Sequence, residues 1–575
     1  MTLDPKYLTL DDLLQKRLFK IPEYQRAYSW GTKQRNDLFS DIEKLGEIIK
    51  TQKDRDHFMA TVVCLERPDY VEVGTDQYRT LDVVDGQQRL TTLIVLLKEI
   101  SKALREQDEV AEADNIDRLL VKGDKRLILL QTNHDKSYIF RDYLIKGIMP
   151  DERPGTQADF NLVKAARECG RFVAGWGKRG DLLDLLRLIK NRISFIFYIT
   201  RDQGSVYNTF EVLNSRGLEV DWLDKCKSML MGLAFEKLSR EAAEEHIPEL
   251  NKIWSKIYHT IGVREVPGHE ILRFSATLRY ISDLSRPLGT EESLEYYRRM
   301  CTEDPASTLE VSRWILQLAE KLRQLYLDHR LSGVTEILQA RLLAVSVMLS
   351  EQWTAEQKRA ALEEWEKVTF RIYGLARKDA RTKVGEYTRL AYHVYNDLNQ
   401  AGWVPEVLIK IRRLGREKEY HIDNVVEGLR NSDCYNGWGG ELRYFLYRYE
   451  EYLAGRAGAT INNNMWEAIW RSSTASTIEH IRPQKWDAKG WKGVLGSSKE
   501  AVELRVNQLG NLMLLPPGVN AKAAAKSFAK KKNIYRRQGN LLQIEEVLQE
   551  KSWSGKQIKD REERMLAWAR KHWGN

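Results

Sequence analysis

The sequence lacks any apolar segment long enough to cross a membrane. Its apolar runs are short, and one of the longest, Leu93 to Leu97, is flanked by Arg89 and Lys98. A membrane-spanning helix needs about 20 consecutive apolar residues, so no membrane partner is expected. The first residues, Met1 to Asp12, contain acids and lack the basic and apolar regions of a signal peptide.

Cysteine is scarce, and its spacing excludes the common structural uses of this residue. The chain has five cysteines, an odd number, and no pair has the spacing of zinc ligands. They are Cys64, Cys169, Cys226, Cys301 and Cys434. Reduced thiols in a cytoplasmic protein are the simplest interpretation.

Internal repeats, low-complexity tracts and a Walker phosphate-binding loop are also absent from the sequence. The length of 575 residues predicts two to four domains with at least two cores. The net charge of +9 is compatible with a polyanionic partner, although a small excess over 91 basic residues is weak evidence.

The distribution of helical and strand patterns predicts a multidomain α+β protein. Residues 1–235 combine strand runs, such as Ile193 to Thr200, with amphipathic helices. Residues 236–415 have few glycines and helical apolar spacing, which predicts a helical domain, either a connector or a plain α-helical domain without motion. Residues 416–575 form a third region, in which chemically informative residues are concentrated.

That third region contains the segment Thr477 to Gln484, in which Glu479 and His480 are adjacent. Two asparagines follow, Asn511 and Asn520. A neutral histidine can take a proton from water at pH 7, and Mg²⁺ prefers carboxylate and amide oxygens. Because neighbours on a strand point to opposite faces, Glu479 and His480 can share one site only where the strand twists or ends.

Basic residues crowd together just beyond the two asparagines. A solvated helix face and a phosphate-binding surface both explain such a cluster. A histidine, a carboxylate and amide oxygens are what a single-metal phosphodiesterase needs, and if Glu479 and His480 form such a site, we expect Lys526, Lys530 and Lys531 to contact DNA, with Lys530 the best single candidate.

Two N-terminal segments, Ile21 to Trp30 and Val83 to Leu93, also stand out. In the second, a predicted strand ends in Asp85 and Gly86, and a helix begins at once. This arrangement gathers backbone N–H groups and Arg89 at one point, which suits a phosphate. On spacing alone, an ordinary Asp-Gly turn followed by a polar helix start is the stronger explanation of the segment.

The C-terminal motifs resemble the ββα-metal (HNH) nuclease finger, and more narrowly its version in GmrSD-type, modification-dependent restriction endonucleases. The resemblance implies that His480 is the general base. It makes Glu479 and Asn520 ligands of a divalent metal, most simply Mg²⁺. Asn511 would brace the loop or orient His480, and the roles of the two asparagines could be exchanged.

The N-terminal motifs are similar to the other half of the same family, a domain related to the ParB/sulfiredoxin fold. This resemblance implies binding and hydrolysis of a nucleoside triphosphate; GTP, UTP, CTP and ATP all stay open. The residues that it assigns to the pocket are Gln25, Arg26, Asp85, Gly86, Gln87, Gln88, Arg89, Asn214 and Arg216.

The two resemblances together predict a nucleotide-regulated endonuclease that cuts modified double-stranded DNA in defence against phage, and that could be a homodimer. Two alternatives stay open at this point. One is a related nucleoside triphosphatase that senses phosphorothioate-modified DNA and nicks it. The other is a nucleotide-switched DNA-binding module with an inactive nuclease finger.

Overall fold

The computed structural model describes most of the chain. The described residues are 6–23, 25–51, 57–132, 137–148, 154–200, 222–262, 266–280, 285–436, 438–459, 463–485, 488–491, 495, 498–538 and 541–574. The chain divides into two compact units: one contains residues 1–275 and 289–320, and the other contains residues 276–288 and 321–575. The predicted middle region is shared between these units, and its boundaries stay predictions.

Among the described residues, the strands of the first unit form a six-stranded mixed sheet of order β1-β8-β3-β4-β2-β7. Strands β5 and β6 form a separate short pair, as do β9 and β10 in the second unit. The strands are β1 Lys6–Thr9, β2 Arg17–Ile21, β3 His57–Val73, β4 Asp76–Asp85, β5 Val121–Lys122, β6 Arg126–Leu127, β7 Leu129–Gln131, β8 Ile193–Thr200, β9 Ile478–His480 and β10 Leu512–Leu514.

Helices make up most of the remaining described structure. In chain order, the first twelve are α1 Leu10–Leu14, α2 Thr32–Thr51, α3 Gln87–Glu106, α4 Val110–Leu120, α5 Ser137–Lys146, α6 Gln157–Gly177, α7 Leu182–Arg192, α8 Trp222–Lys237, α9 Arg240–Ile261, α10 Gly268–Arg279, α11 Thr290–Glu303 and α12 Ser307–Leu327. The others are α13 His329–Ser332, α14 Leu338–Leu349, α15 Ala355–Thr369, α16 Val384–Asn396, α17 Val404–Leu414, α18 Ile422–Leu429, α19 Gly440–Ala457, α20 Asn463–Arg471, α21 Thr474–Thr477, α22 Lys499–Val506, α23 Pro517–Ala523, α24 Phe528–Gln538, α25 Leu542–Gln549 and α26 Gly555–Trp573.

The expectation of a multidomain α+β protein is confirmed. Within the described residues, no helix is both apolar enough and long enough to cross a membrane. All five cysteines are buried free thiols.

The sheet order explains why two distant N-terminal segments meet. Strands β2 and β4 are neighbours and run parallel, with Phe19 paired to Leu81. Parallel strands end at the same edge of a sheet, so the segments that follow β2 and β4 emerge side by side. Helix α3 starts directly after β4 and is buried along most of its length, which fixes its N-terminus against the sheet.

In the second unit, the last helix supports the short β9–β10 pair. The backbone of α26 approaches Gly510 so closely that a Cβ there would lie 1.9 Å from the carbonyl oxygen of Ile558. Arg561, also on α26, donates to the carbonyl oxygens of Gly510 and Leu512 at 3.1 and 2.7 Å. Only glycine can occupy position 510, and the loop before β10 is therefore locked in place.

Candidate functional site

Strands β9 and β10 pair antiparallel and carry the C-terminal site. His480 lies opposite Leu512, and Glu479 lies opposite Met513. All three residues of β9 are buried, and the strand ends at His480. The structure thus has the strand ending that a shared site for Glu479 and His480 requires.

Glu479 faces helix α24. Its Oε1 accepts hydrogen bonds from Lys531 Nζ at 2.6 Å and from the Tyr535 hydroxyl at 2.7 Å. Lys531 Nζ also donates to the carbonyl oxygen of His480 at 2.6 Å. Glu479 is 3% exposed and Lys531 is completely buried. Burial raises the pKa of Glu479 and lowers that of Lys531, while the contact between them offsets part of each shift.

His480 faces a different set of partners. Its Nε2 lies 3.0 Å from Asn507 Oδ1, and the ring of Tyr435 meets its imidazole edge-on with centroids 4.4 Å apart. The side chain is 8% exposed. Burial lowers the pKa of His480 to about 4, so the imidazole is neutral at pH 7 and can accept a proton.

Asn511 is completely buried and braces the loop before β10. Its Oδ1 accepts from the backbone N–H of Arg482 at 2.8 Å and from Trp553 Nε1 at 3.0 Å. Its Nδ2 donates to the carbonyl oxygens of Arg482 and Val506 at 2.9 and 2.7 Å. These contacts fit the bracing role, one of the two expected for Asn511, and not direct contact with substrate.

Asn520 lies on α23 and is half-buried. Its Nδ2 donates to the carbonyl oxygens of Ser476 and Ile478 at 2.9 and 3.1 Å, which ties α23 to the segment leading into β9. Neither bond involves Oδ1. The hydrogen bonds from Lys531 and Tyr535 to Glu479 are both accepted by Oε1 and do not involve Oε2.

The donor set fits a magnesium ion in its chemistry. It offers one carboxylate oxygen and one amide oxygen, Glu479 Oε2 and Asn520 Oδ1, and Mg²⁺ keeps several waters when few protein oxygens bind it. Lys531 lies beside the same carboxylate and weakens its attraction for a second cation. In the described part of the chain, no group of three or more His, Cys, Asp or Glu side chains could hold a metal.

The three lysines expected to contact DNA differ in their surroundings. Lys526 and Lys530 are exposed, as are Arg536 and Arg537 on α24. Lys531 is buried against Glu479, so its ammonium cannot reach a phosphate without leaving that contact. We therefore do not keep Lys531 among the proposed DNA contacts.

The two N-terminal segments meet through glutamine side chains. Gln88 Oε1 accepts from the backbone N–H groups of Ser29 and Trp30 at 2.8 and 3.3 Å, and its Nε2 donates to Ala27 at 3.1 Å. Gln25 Nε2 donates to the carbonyl oxygen of Val84 at 2.9 Å. Gln25 and Gln88 thus hold the two segments together.

The turn between β4 and α3 is the other part of this site. Gly86 has φ of +91°, and a Cβ there would lie 3.0 Å from Val62 and 3.2 Å from the Thr61 carbonyl oxygen, so the turn requires glycine. Gln87 is only 5% exposed, and its Oε1 has no hydrogen-bond partner among the described residues.

Charged side chains gather around this turn. Arg89 lies over the Trp30 ring at 5.9 Å, and Asp85 is half-buried at the end of β4. Burial lowers the pKa of the Arg26 guanidinium, and the charges of Asp224 and Asp85 partly offset this. Asn214 and Arg216, which the sequence assigns to the same pocket, lie outside the described residues.

Sequence reasoning missed the partners of Glu479 and His480. Tyr535 and Asn507 have no motif of their own, and Asp433, which accepts from Asn507 Nδ2 at 3.1 Å, is 74 positions before it. Helical spacing offered one usable signal: Lys531 and Tyr535 are four residues apart and therefore share a face of α24.

These features define a multidomain α+β protein in which Glu479 and His480 are adjacent and buried at the end of a short strand of the second unit. The model of the GmrSD restriction endonuclease N-terminal domain matches residues 10–231, and that of the C-terminal domain matches residues 421–568. The chain belongs to the GmrSD family of restriction endonucleases, for which DNA is the substrate. A comparison with curated proteins finds no match.

Proposed function

We propose that this protein is a nucleotide-regulated endonuclease that cuts modified DNA, with His480 as the general base. The observation that carries the proposal is the state of His480. The imidazole is buried at the end of β9 and is neutral at pH 7, and among the described residues only its Nε2 has a hydrogen-bond partner, Asn507 Oδ1. The other nitrogen, Nδ1, is left to take a proton.

In the proposed step, a water oxygen forms a bond to phosphorus and its proton passes to His480 Nδ1. The bond between phosphorus and the leaving deoxyribose oxygen breaks with its electron pair going to that oxygen, and a solvent water protonates it. His480 then returns its proton to solvent. A correctly placed general base contributes about 10²- to 10⁴-fold to such a reaction.

Glu479 and Asn520 are the residues that would hold a divalent cation, most simply Mg²⁺. When bound, the cation would supply positive charge for the oxygens that become more negative during cleavage. Lys531 and Tyr535 hold Glu479 Oε1 and so fix the direction of the carboxylate. Fixing a ligand through its second oxygen or nitrogen is a common feature of metal sites.

Regulation by a nucleoside triphosphate is proposed for the turn between β4 and α3. The N-terminus of α3, Arg89 and the buried Gln87 amide offer donors and an acceptor at one point. A helix N-terminus and a guanidinium both bind phosphate oxygens. The residues proposed to line this pocket are Gln25, Arg26, Asp85, Gly86, Gln87, Gln88, Arg89, Asn214 and Arg216.

Lys526 and Lys530 are proposed to contact the DNA backbone. Both are exposed and lie close in sequence to Asn520. Contacts with phosphates add affinity that falls with salt and is independent of sequence. The Lys530→Ala protein should bind all DNA less tightly and lower the slope of log affinity against log salt by about one unit; Lys559→Ala, which removes an exposed lysine from α26, is the matched control.

The central experiment measures cleavage of plain, glucosylated-hydroxymethylated and phosphorothioated DNA, with and without each nucleoside triphosphate and Mg²⁺. We expect wild type to cut a modified DNA and His480→Ala to lose about 10²-fold or more of that rate. The control is His393→Ala, which removes an exposed histidine of the same unit. Full activity of His480→Ala would refute the assignment of His480 as the general base. If wild type cleaves none of the DNAs, the result would favour a DNA-binding module with an inactive nuclease finger.

The nucleotide site is tested separately by triphosphate hydrolysis. Arg89→Ala should lower hydrolysis, because Arg89 lies in the first turn of α3 where a phosphate would bind. Arg105→Ala removes an exposed arginine from the last turn of the same helix and should leave hydrolysis unchanged. Equal hydrolysis by both variants would contradict the proposed pocket.

A further inference from the structure

A chain of polar contacts leads from His480 away from β9. Asn507 Oδ1 lies 3.0 Å from His480 Nε2, and Asn507 Nδ2 donates to Asp433 Oδ2 at 3.1 Å. His480 and Asn507 are buried, and Asp433 is half-buried. The three side chains come from separate parts of the second unit, so only the fold brings them together.

The carboxylate of Asp433 determines the direction of every bond in this chain. Burial raises the pKa of Asp433, but hydrogen bonds from Asn436 and Asn507 outweigh this, and the net pKa lies below its ordinary value. An ionised carboxylate only accepts hydrogen bonds, so the amide nitrogen of Asn507 must face Asp433. The amide oxygen of Asn507 then faces His480, and the facing imidazole nitrogen, Nε2, must carry a proton.

Further contacts hold each member in place. The backbone N–H of Asn436 donates to Asp433 Oδ1 at 2.8 Å. The carbonyl oxygen of Asn507 accepts from the backbone N–H of Cys434 at 2.9 Å. The Tyr435 ring lies against the imidazole. The segment that supplies Asp433 therefore also fixes the backbone of Asn507 and limits rotation of the histidine ring.

We propose that Asn507 and Asp433 are positioning residues that hold His480 as its Nε2–H tautomer, so that Nδ1 is the nitrogen that takes the proton from water. The proposal rests on the proposed nuclease function and adds two residues to its site. A neutral imidazole with the proton on Nδ1 would present no acceptor at that nitrogen, and its basic nitrogen would be Nε2, which faces Asn507. Asn507 and Asp433 together form a relay of hydrogen bonds that acts on the orientation of His480 and touches neither DNA nor metal.

The decisive variant is Asp433→Asn. The backbone N–H of Asn436 cannot rotate and keeps an oxygen at the Oδ1 position, so the new amide nitrogen faces Asn507. The exposed Asn436 side chain, which donates to Asp433 Oδ2 in wild type, is free to turn its own amide oxygen towards that nitrogen. Asn507 must then turn its own oxygen towards position 433 and its NH₂ towards His480, which moves the imidazole proton to Nδ1. We expect kcat to fall about 10- to 100-fold, the range for partners that orient a reacting group, with KM for DNA changed less than about 2-fold.

The rescue variant combines Asp433→Asn with Asn507→Asp. The new carboxylate at position 507 accepts from His480 Nε2 and from the new amide at position 433, which restores an acceptor beside the histidine. We expect this double variant to recover at least about 10-fold of the lost kcat. Asn436→Ala is the matched control, since it removes the Asn436 side-chain bond to Asp433 and leaves the Asn507 contact intact.

The tautomer itself is read from nitrogen NMR of the full chain labelled with ¹⁵N-histidine. The chain has ten histidines, and the His480 signals are those lost in His480→Gln. At pH 7, wild type should carry the proton on Nε2, and Asp433→Asn should carry it mainly on Nδ1. A proton on Nδ1 in wild type would overturn the relay, and this measurement needs no cleavage.

The outcomes distinguish a failure of the relay from a failure of the proposed nuclease function. If wild type cuts DNA, His480→Ala does not, and Asp433→Asn keeps the wild-type kcat, the relay is wrong and the nuclease assignment stands. If His480→Ala cuts as wild type does, the assignment of the base fails whatever the tautomer. A fall in kcat for Asp433→Asn without recovery in the double variant would mean that Asp433 acts through local structure alone.

Discussion

Asn511→Ala gives the most quantitative test of how the C-terminal site is held together. The substitution removes four hydrogen bonds, two accepted and two donated, from a completely buried side chain. It leaves the Trp553 indole N–H and three backbone groups of Arg482 and Val506 without these partners. At about 1 kcal/mol net for each bond, the free energy of unfolding should fall by about 4 kcal/mol.

The loss is measured by urea unfolding of the second unit, followed by tryptophan fluorescence. Asn424→Ala is the control, because this exposed asparagine donates one bond to the Lys418 carbonyl oxygen and should cost less than about 1 kcal/mol. A loss below about 1 kcal/mol for Asn511→Ala would refute the bracing role. A protein with full stability and no cleavage would instead favour the other expected role of Asn511, the orientation of His480.

Three further results are expected. Gly86→Ala should destabilise the first unit by about 1–3 kcal/mol in thermal unfolding, because φ is +91° and a Cβ would crowd the Thr61 carbonyl oxygen. The control is Gly175→Ala in α6, where a Cβ has no atom within contact distance; this substitution should stabilise the protein by up to about 1 kcal/mol. Equal effects would contradict the strained turn. Lys531→Met should lower the free energy of unfolding in urea by about 3–5 kcal/mol, because it leaves Glu479 charged and without its cationic partner. Adding Glu479→Gln should recover most of this free energy, and purely additive losses would show that the two residues are not coupled. Burial raises the pKa of Glu168, but its bonds to Arg35 and Thr32 outweigh this and lower it from 4.5. Its stabilisation should be complete above about pH 4.5 and be lost as pH falls through the lower folded-state pKa, and the acid limb of a stability-pH curve should flatten in Glu168→Gln.

Local patterns predicted the elements of the first unit because each has a strong sequence signature. The β-branched and aromatic run of β8 was predicted with its observed bounds, Ile193–Thr200. The helix predicted directly after Asp85 and Gly86 begins at Gln87, because Gly86 in a left-handed conformation turns the chain directly from β4 into α3. Strand β3 extends to Val73 because β4 pairs with its outer half.

Long-range contacts were harder to predict than elements. The sequence placed Glu479 next to His480 but could not show that Glu479 faces α24 while His480 faces Asn507. The distinction depends on which face of β9 each helix covers, and this is decided by packing. Asp433 lies in no recognisable motif, because its proposed role needs only a carboxylate next to Asn507. The fold, and not the local sequence, brings these two residues together.

The neighbouring lysines of helix α24 cannot be interpreted as one group, because they lie on different faces of the helix. Successive helical residues are about 100° apart, so neighbouring lysines cannot all face one partner. Lys531 turns inward and neutralises Glu479, while Lys530 stays exposed to solvent. The same helix therefore contacts β9 through one face and exposes cations on another, where the DNA contact is proposed. Substitution of Lys530 should change DNA affinity alone, and substitution of Lys531 should change the strand and its carboxylate.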